Sequence, residues 1–186
     1  MSKGLSILIP SVPSRFIAAQ VLYEDLMGQV EHRDVEIIML TDNKKRSVGK
    51  KRQALVELAT KDYVAFIDDD DCPMPSYIKE VYEAIQEGFD AVLFDSSCKM
   101  NDDPAVHVEH GMGFPDEEYN PKGFRRNLWH IHAIRSDIAK AHEWPDTSYG
   151  EDIGWLRSVR KDIIWTYKID KTLYCYQFDS EGSETQ

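Results

Sequence analysis

Tyr63-Val64-Ala65-Phe66-Ile67-Asp68-Asp69-Asp70-Asp71 is the stretch on which the reading of this chain turns. Five strand-forming residues, four of them apolar, read as a buried strand. Four carboxylates at its end repel one another unless a cation or a hydrogen-bonding ligand holds them. In open α/β sheets ligands bind outside the carboxyl ends of the strands. Mg²⁺ takes one or two protein carboxylates and keeps sites for phosphate oxygens. A hard divalent metal carrying a phosphate substrate therefore fits this corner. The competing reading is an acidic turn that is simply solvated.

Outward from that strand, Leu5–Ile9 and Val35–Leu40 read as earlier strands and Asp90–Phe94 as a later one. Helices are expected over Ser14–Gly28, over Ser47–Thr60 with Ala54, Leu55, Leu58 and Ala59 on one apolar face, and from Pro75 to about Glu87. Pro75-Ser76 suits a helix start and Gly88 its end. Repeated β-α-β units with near-continuous apolar strands imply a single-domain α/β fold, with a mostly parallel central sheet and helices on both faces. The alternation fades after Ser96, which divides the domain into halves 1–96 and 97–186. Residues 97–127 read as a long irregular connection with one hairpin around Val106–His110. Leu128–Ile134, Ile163–Tyr167 and Thr172–Phe178 then read as strands, and Ser136–His142 and Glu151–Arg160 as helices.

With 186 residues, 42% hydrophobic and 30% charged, the composition is that of a soluble globular chain. The 22 basic and 33 acidic residues give a net charge of −11, which makes nucleic acid an unlikely partner and leaves room only for a local basic groove. No apolar run approaches the roughly 20 residues that span a bilayer, and the chain enters a strand almost at once. Both point to the cytoplasm, with no integral membrane segment. Cys72, Cys98 and Cys175 lack zinc-ligand spacing and read as reduced thiols. The loop after the first strand, Pro10-Ser11-Val12-Pro13-Ser14-Arg15, is not the Gly-x-Gly-x-x-Gly of dinucleotide enzymes. P-loop and Gly-x-Ser-x-Gly motifs are missing too.

Five segments in order, Ile7-Leu8-Ile9-Pro10-Ser11, Ile37 to Asp42, Ser47 to Ala54, Phe66 to Asp71 and Gly150-Glu151-Asp152-Ile153-Gly154-Trp155, resemble the GT-A glycosyltransferases of family 2. The resemblance implies a metal-dependent inverting transfer of sugar from a nucleoside-diphosphate sugar, UDP-sugar favoured, to an acceptor hydroxyl. The first half would bind the donor, and the second the acceptor and the catalytic base. Asp68 would lie near the ribose and Asp70 would bind Mn²⁺ or Mg²⁺, with Asp69 at the nucleotide and Asp71 as a helper. Helix-start polarity competes for Asp69 and Asp71. Pro10 and Ser11 would border the donor, and Asp42 would hold its base. The family usually has two acidic residues and a Ser here, against Thr41-Asp42-Asn43-Lys44 in this chain.

Lys51 and Arg52, opening a helix after Gly49, are expected to face the diphosphate, with Arg15 a further candidate; solvated surface charge is the alternative. Asp152 would be the general base and Glu151 an acceptor ligand, although acidic residues at helix starts are stabilising without any function. In Trp129-His130-Ile131-His132 a strand would put His130 and His132 on one face toward the acceptor, or leave them with ordinary hydrogen bonds. Many family members carry an Arg and then a His in the last strand. Gln177 and Asp179 stand there in this chain, which makes Asp179 the third metal ligand by position. Two other functions remain open at this point: a nucleotidyl or phosphoryl transferase, and a non-catalytic nucleotide- or metal-binding module.

Overall fold

The computed structural model describes residues 2–120 and 123–178. In chain order its elements are β1 (Leu5–Ser11), a 3-10 turn (Pro13–Arg15), α1 (Phe16–Val30), β2 (Val35–Thr41), α2 (Val48–Leu58), β3 (Tyr63–Phe66), β4 (Cys72–Pro73) and α3 (Tyr77–Ile85). There follow β5 (Ala91–Met100), β6 (Val106–His110), β7 (Glu118–Asn120), β8 (Gly123–Arg126), β9 (Ala133–Arg135), α4 (Ser136–Lys140), α5 (Glu151–Val159) and β10 (Thr166–Phe178).

One sheet runs in the order β2-β1-β3-β9-β5-β6-β8-β7, with β10 beside β5 and β4. β1 pairs in parallel with β2 and β3, and β10 in parallel with β5. β9 lies antiparallel to both β3 and β5, so a short strand from the second half closes the gap between two strands of the first. The sheet is thus parallel where βαβ units build it and mixed beyond. The chain moves one way from β1 to β2 and the other way from β2 to β3. Right-handed crossovers then put α1 and α2 on opposite faces. α3 packs against α1, while α4 and α5 pack against α2.

β1 is buried along its whole length, which explains its lack of alternation. Phe66, Trp144 and Trp155 form an aromatic column beneath α5, Phe66 edge-on to Trp144 at 5.0 Å and the two indoles stacked at 4.2 Å. The loop before α5 caps α2. Val48 and Gly49 donate to Ser148 Oγ and the Thr147 carbonyl, and Lys50 N donates to Ser47 Oγ. These bonds satisfy amides that a helix start leaves unpaired.

Four expectations change. Residues 97–127 are not one irregular connection with a single hairpin, since β6 pairs with β5 and with β8, and β7 pairs antiparallel with β8. β5 continues past Phe94 to Met100, because its polar residues find partners across the sheet. Asp95 accepts from the His110 amide at 2.9 Å, and Ser96 meets His110 Nε2 at 2.9 Å. Ile163 lies outside the last strand. The two strands expected near the C-terminus are one, β10, with irregular register between Ile169 and Tyr174. Leu128 to His132 is not a strand, so His130 and His132 do not share a strand face.

His132 is fully buried rather than turned to an acceptor. Its Nδ1 accepts from the Trp129 amide at 2.9 Å and its Nε2–H donates to the Phe94 carbonyl at 3.0 Å, which requires the neutral ring. Burial pushes its pKa well below the usual histidine value, and pushes that of the neighbouring His110 down to about 3.

Two tests follow. A Cβ on Gly49 would lie 1.8 Å from the Pro145 carbonyl oxygen, whereas one on Gly28 would meet nothing within 4 Å. Gly49→Ala should lower stability in urea unfolding by about 1–3 kcal/mol, and Gly28→Ala, in the last turn of α1, should raise it by at most about 0.5–1 kcal/mol. Equal effects at the two sites would refute this account of the capped helix. The second test concerns pH. Between about pH 6.5 and pH 4.5 the unfolded chain protonates His110 while the folded chain does not, so its contribution to stability is lost as pH falls. Asp70, whose pKa is raised to about 6, works in the opposite sense, so a variant must carry the comparison. The stability difference between wild type and His110→Asn should shift against wild type on acidification; parallel pH curves would overturn the assignment.

Candidate functional site

The carboxyl ends of β1 and β3 open onto a cleft of about 250 Å³. The end of β1 and the acidic run bring Pro10, Ser11, Arg15 and Asp68 to Asp70 to its lining, α2 brings Lys51 and Arg52, and the second half brings Trp129, His130 and Tyr149 to Asp152. Gly150 supplies the sharp turn into α5 with φ of 71° in the left-handed region, where a side chain would be strained. That turn sets Glu151 and Asp152 at the positive end of the α5 dipole.

A series of basic side chains and carboxylates crosses the floor. Arg52 Nη2 donates to Asp68 Oδ1 at 2.8 Å, and its Nε to Glu151 Oε1 at 3.4 Å. Its guanidinium lies over the rings of Phe66 and Trp144. His130, buried, places Nε2 3.3 Å from Asp68 Oδ2 and Nδ1 3.5 Å from Asp152 Oδ2. Trp129 Nε1 donates to the same Asp152 oxygen at 2.8 Å. Burial pushes the pKa of Asp68 and Asp152 up, but is outweighed. Arg52 and His130 hold Asp68 well below the usual carboxylate range, and His130, Trp129 and Arg52 do the same for Asp152.

The other aspartates of the run meet different surroundings. Asp69 is buried against Arg15, 3.0 Å from its Oδ1, while its Oδ2 has no hydrogen-bond partner. Asp70 is 39% exposed and pairs with the same Arg15 at 2.8 Å. Burial, with the charges of Asp68 and Asp69, raises its pKa to about 6 against the pull of Arg15. Asp71 points inward, accepting from Tyr174 Oη at 2.6 Å and the Gln177 amide at 2.7 Å. It is a strut that ties β10 to the end of β3, not a helper at the cleft.

The basic helix start also turns out to be internal. Arg52 is spent on Asp68 and Glu151. Lys51 Nζ donates to the Ser11 carbonyl at 2.6 Å and pairs with Asp42 at 3.0 Å. Both line the cleft, and each neutralises a carboxylate buried beside it. Glu151 is likewise buried and held by Arg52 rather than free for an acceptor. Asp42 stands at the end of β2 beside Ser11 and is not among the residues lining the cleft. Asp179 lies outside the described residues. Cys72 is exposed, and burial together with Cys175 and Asp71 pushes its thiol up, so it is no activated nucleophile.

Sequence reasoning missed Trp129 as the donor to Asp152, Tyr174 as the anchor of Asp71, and Tyr149 and Tyr176 as cleft walls. Nothing in their spacing marks them, since aromatic residues read first as core. Among the described residues no three His, Cys, Asp or Glu side chains converge as a metal cage. A hard ion that keeps water and phosphate ligands needs only one or two carboxylates. Asp70, costly to ionise without a counter-charge, and the unpartnered oxygen of Asp69 fit such an ion.

The family model for glycosyl transferase family 2 matches residues 22–141, more than half of the chain, and the chain belongs to that family. It is 42% identical over 68 residues to a processive diacylglycerol beta-glycosyltransferase of Mycoplasma genitalium, which covers 36% of this chain and 20% of that protein. Its fold is that of TarS residues 1–349 from S. aureus, solved with UDP-GlcNAc: TM-score 0.68, 16% identity, 98% of this chain and 60% of that one. Glucosyl-3-phosphoglycerate synthase from Mycobacterium tuberculosis, solved with Mn²⁺, UDP and glucosyl-3-phosphoglycerate, matches with TM-score 0.62, 13% identity, and 96% of this chain against 74% of that one. The chain thus spans about a fifth of the curated relative and three-fifths of the TarS fragment.

Proposed function

We propose that this member of glycosyl transferase family 2 moves a sugar from a UDP-sugar to an acceptor hydroxyl with inversion, using a divalent metal. The observation that carries the reading is that the Asp68–Asp70 corner and Asp152, far apart in the chain, line one cleft. UDP is favoured as carrier because the TarS and glucosyl-3-phosphoglycerate synthase structures were solved with UDP-GlcNAc and UDP. The three free cysteines support a reducing, cytoplasmic setting.

Asp70, with Asp69 beside it, would hold Mn²⁺ or Mg²⁺, which when bound supplies positive charge to the diphosphate leaving group. Asp68 is oriented by Arg52 and His130 and would face the nucleoside ribose, while Asp42 at the end of β2 is the nearest acidic group for the base. The acceptor enters beside Asp152. Its oxygen attacks the anomeric carbon as the bond to the diphosphate breaks, and its proton passes to Asp152. Trp129 and His130 keep Asp152 ionised at neutral pH and fix its Oδ2, while Oδ1 accepts from the Ile153 amide at 2.8 Å and keeps its remaining lone pair for the acceptor proton. A carboxylate held so far down is a weak base. The proton therefore moves late, once bond formation has made the hydroxyl acidic.

Mixing the chain with a panel of nucleotide-sugars and Mn²⁺ should release nucleoside diphosphate; pyrophosphate as the product would favour nucleotidyl transfer instead. Calorimetry with UDP should show affinity that rises with Mn²⁺ or Mg²⁺ and collapses in Asp70→Ala. Metal-independent binding would remove Asp70 from the metal site. Asp152→Asn keeps the hydrogen bond from Trp129 and should leave UDP affinity near wild type while turnover falls about 10²–10⁴-fold. Undiminished turnover in that variant would exclude Asp152 as the base.

A further inference from the structure

Lys44, Lys45, Arg46 and Lys50 are all exposed in a short segment of a chain whose net charge is −11. The neighbouring Lys51 and Arg52 are buried in the pairs described above, so this group is a separate surface feature. It leaves the end of β2, and the parallel register Ser11↔Thr41 brings the start of α1 out beside it. There Phe16 is 62% and Ile17 72% exposed. α1 buries only Ala19, Leu22 and Leu26, which share one side, and the helical period turns Ile17 to the opposite side. A third segment joins them. The loop that caps α2 carries Tyr149, 82% exposed, to the rim of the cleft. The acidic groups at this edge are already engaged: Asp42 with Lys51 at 3.0 Å and with the half-exposed Arg46 at 3.8 Å, and Asp146 with Ser47 Oγ.

Basic, aliphatic and aromatic side chains thus lie on three segments that adjoin the cleft, next to its lining residues Arg15 and Val48 and including Tyr149 itself. Basic side chains reach anionic headgroups, aliphatic and Phe side chains enter the acyl boundary, and Tyr settles at the interface between them. We propose that this rim docks on an anionic phospholipid surface, so that the cleft opens toward the membrane. The overall negative charge does not prevent this, because charges beyond about 8 Å are largely screened at physiological salt. A soluble polyanion would use the cations but leave Phe16 and Ile17 in water. A second copy of the chain meeting this patch with itself would set the cations against one another. The inference stands on exposure and charge alone, independently of which sugar is transferred.

Co-sedimentation of the whole chain with vesicles tests it. Binding is expected to phosphatidylglycerol-containing vesicles and not to phosphatidylcholine alone, and to weaken as salt rises. Lys45→Glu, Arg46→Glu and Lys50→Glu should each lower partitioning by at least about fivefold, the worth of one basic side chain near an anionic surface. Phe16→Ser with Ile17→Ser should abolish the binding that survives high salt. All five side chains are exposed, and unchanged urea midpoints would show the variants folded. No sedimentation with anionic vesicles, or sedimentation indifferent to the charge reversals, overturns the proposal. So does light scattering that shows a dimer lost in Phe16→Ser/Ile17→Ser, or binding to soluble polyphosphate as tight as to vesicles.

Discussion

Two side chains that bridge carboxylates govern this molecule: the Arg52 guanidinium between Glu151 and Asp68, and the His130 ring between Asp68 and Asp152. The groups come from α2, the end of β3, the turn before β9 and the start of α5, so the series crosses the whole floor of the cleft. Removing charges from water is costly, and their attraction repays the cost only when geometry is good and remaining atoms are satisfied. Here Phe66 and Trp144 cover the guanidinium, and Trp129 adds a hydrogen bond to Asp152. Losing one member would leave its partner charged and buried, a loss on the order of 3–5 kcal/mol. The same pairs that hold α5 against the sheet therefore keep Asp152 ionised and aimed.

Consecutive aspartates end up in four environments because the backbone turns at that point, with the Asp71 amide bonded to the Asp68 carbonyl. Asp68 faces Arg52 and His130, and Asp69 meets Arg15. Asp71 turns into the protein to meet Tyr174. Only Asp70 retains substantial contact with solvent and a raised pKa of about 6. The crowding seen in the sequence is real, but the fold relieves it one carboxylate at a time and concentrates the remaining demand for positive charge on Asp70. The loop that caps α2 links the two halves further. It feeds through Gly150 into α5, and its close approach to Gly49 fixes how far the start of α5 stands from α2.

The parallel strands and their helices were legible because burial on both sides demands continuous apolar runs, as in Leu5–Ile9 and Val64–Ile67, and amphipathic helices demand their own period. The acidic corner was legible because four adjacent carboxylates at a strand end are electrostatically costly wherever the chain goes. The polar half of β5 was not. Asp95 and Ser96 are tolerated in a strand only because His110 and its amide lie across from them, and no local pattern announces a partner some fifteen residues away. For the same reason the sequence could not separate a basic residue that meets solvent from one that neutralises a buried acid. Lys50 and Lys51 are neighbours with opposite fates, decided by which side of α2 faces Ser11 and Asp42. By itself, then, the sequence determined the α/β core and the place where charge must be compensated, since both follow from local burial and local repulsion. The tertiary structure alone decided which basic groups compensate it, that His132 is a neutral core residue while His130 bridges two acids, and that Asp152 lines the same cleft as Asp70. Those outcomes depend on distances between segments far apart in the chain.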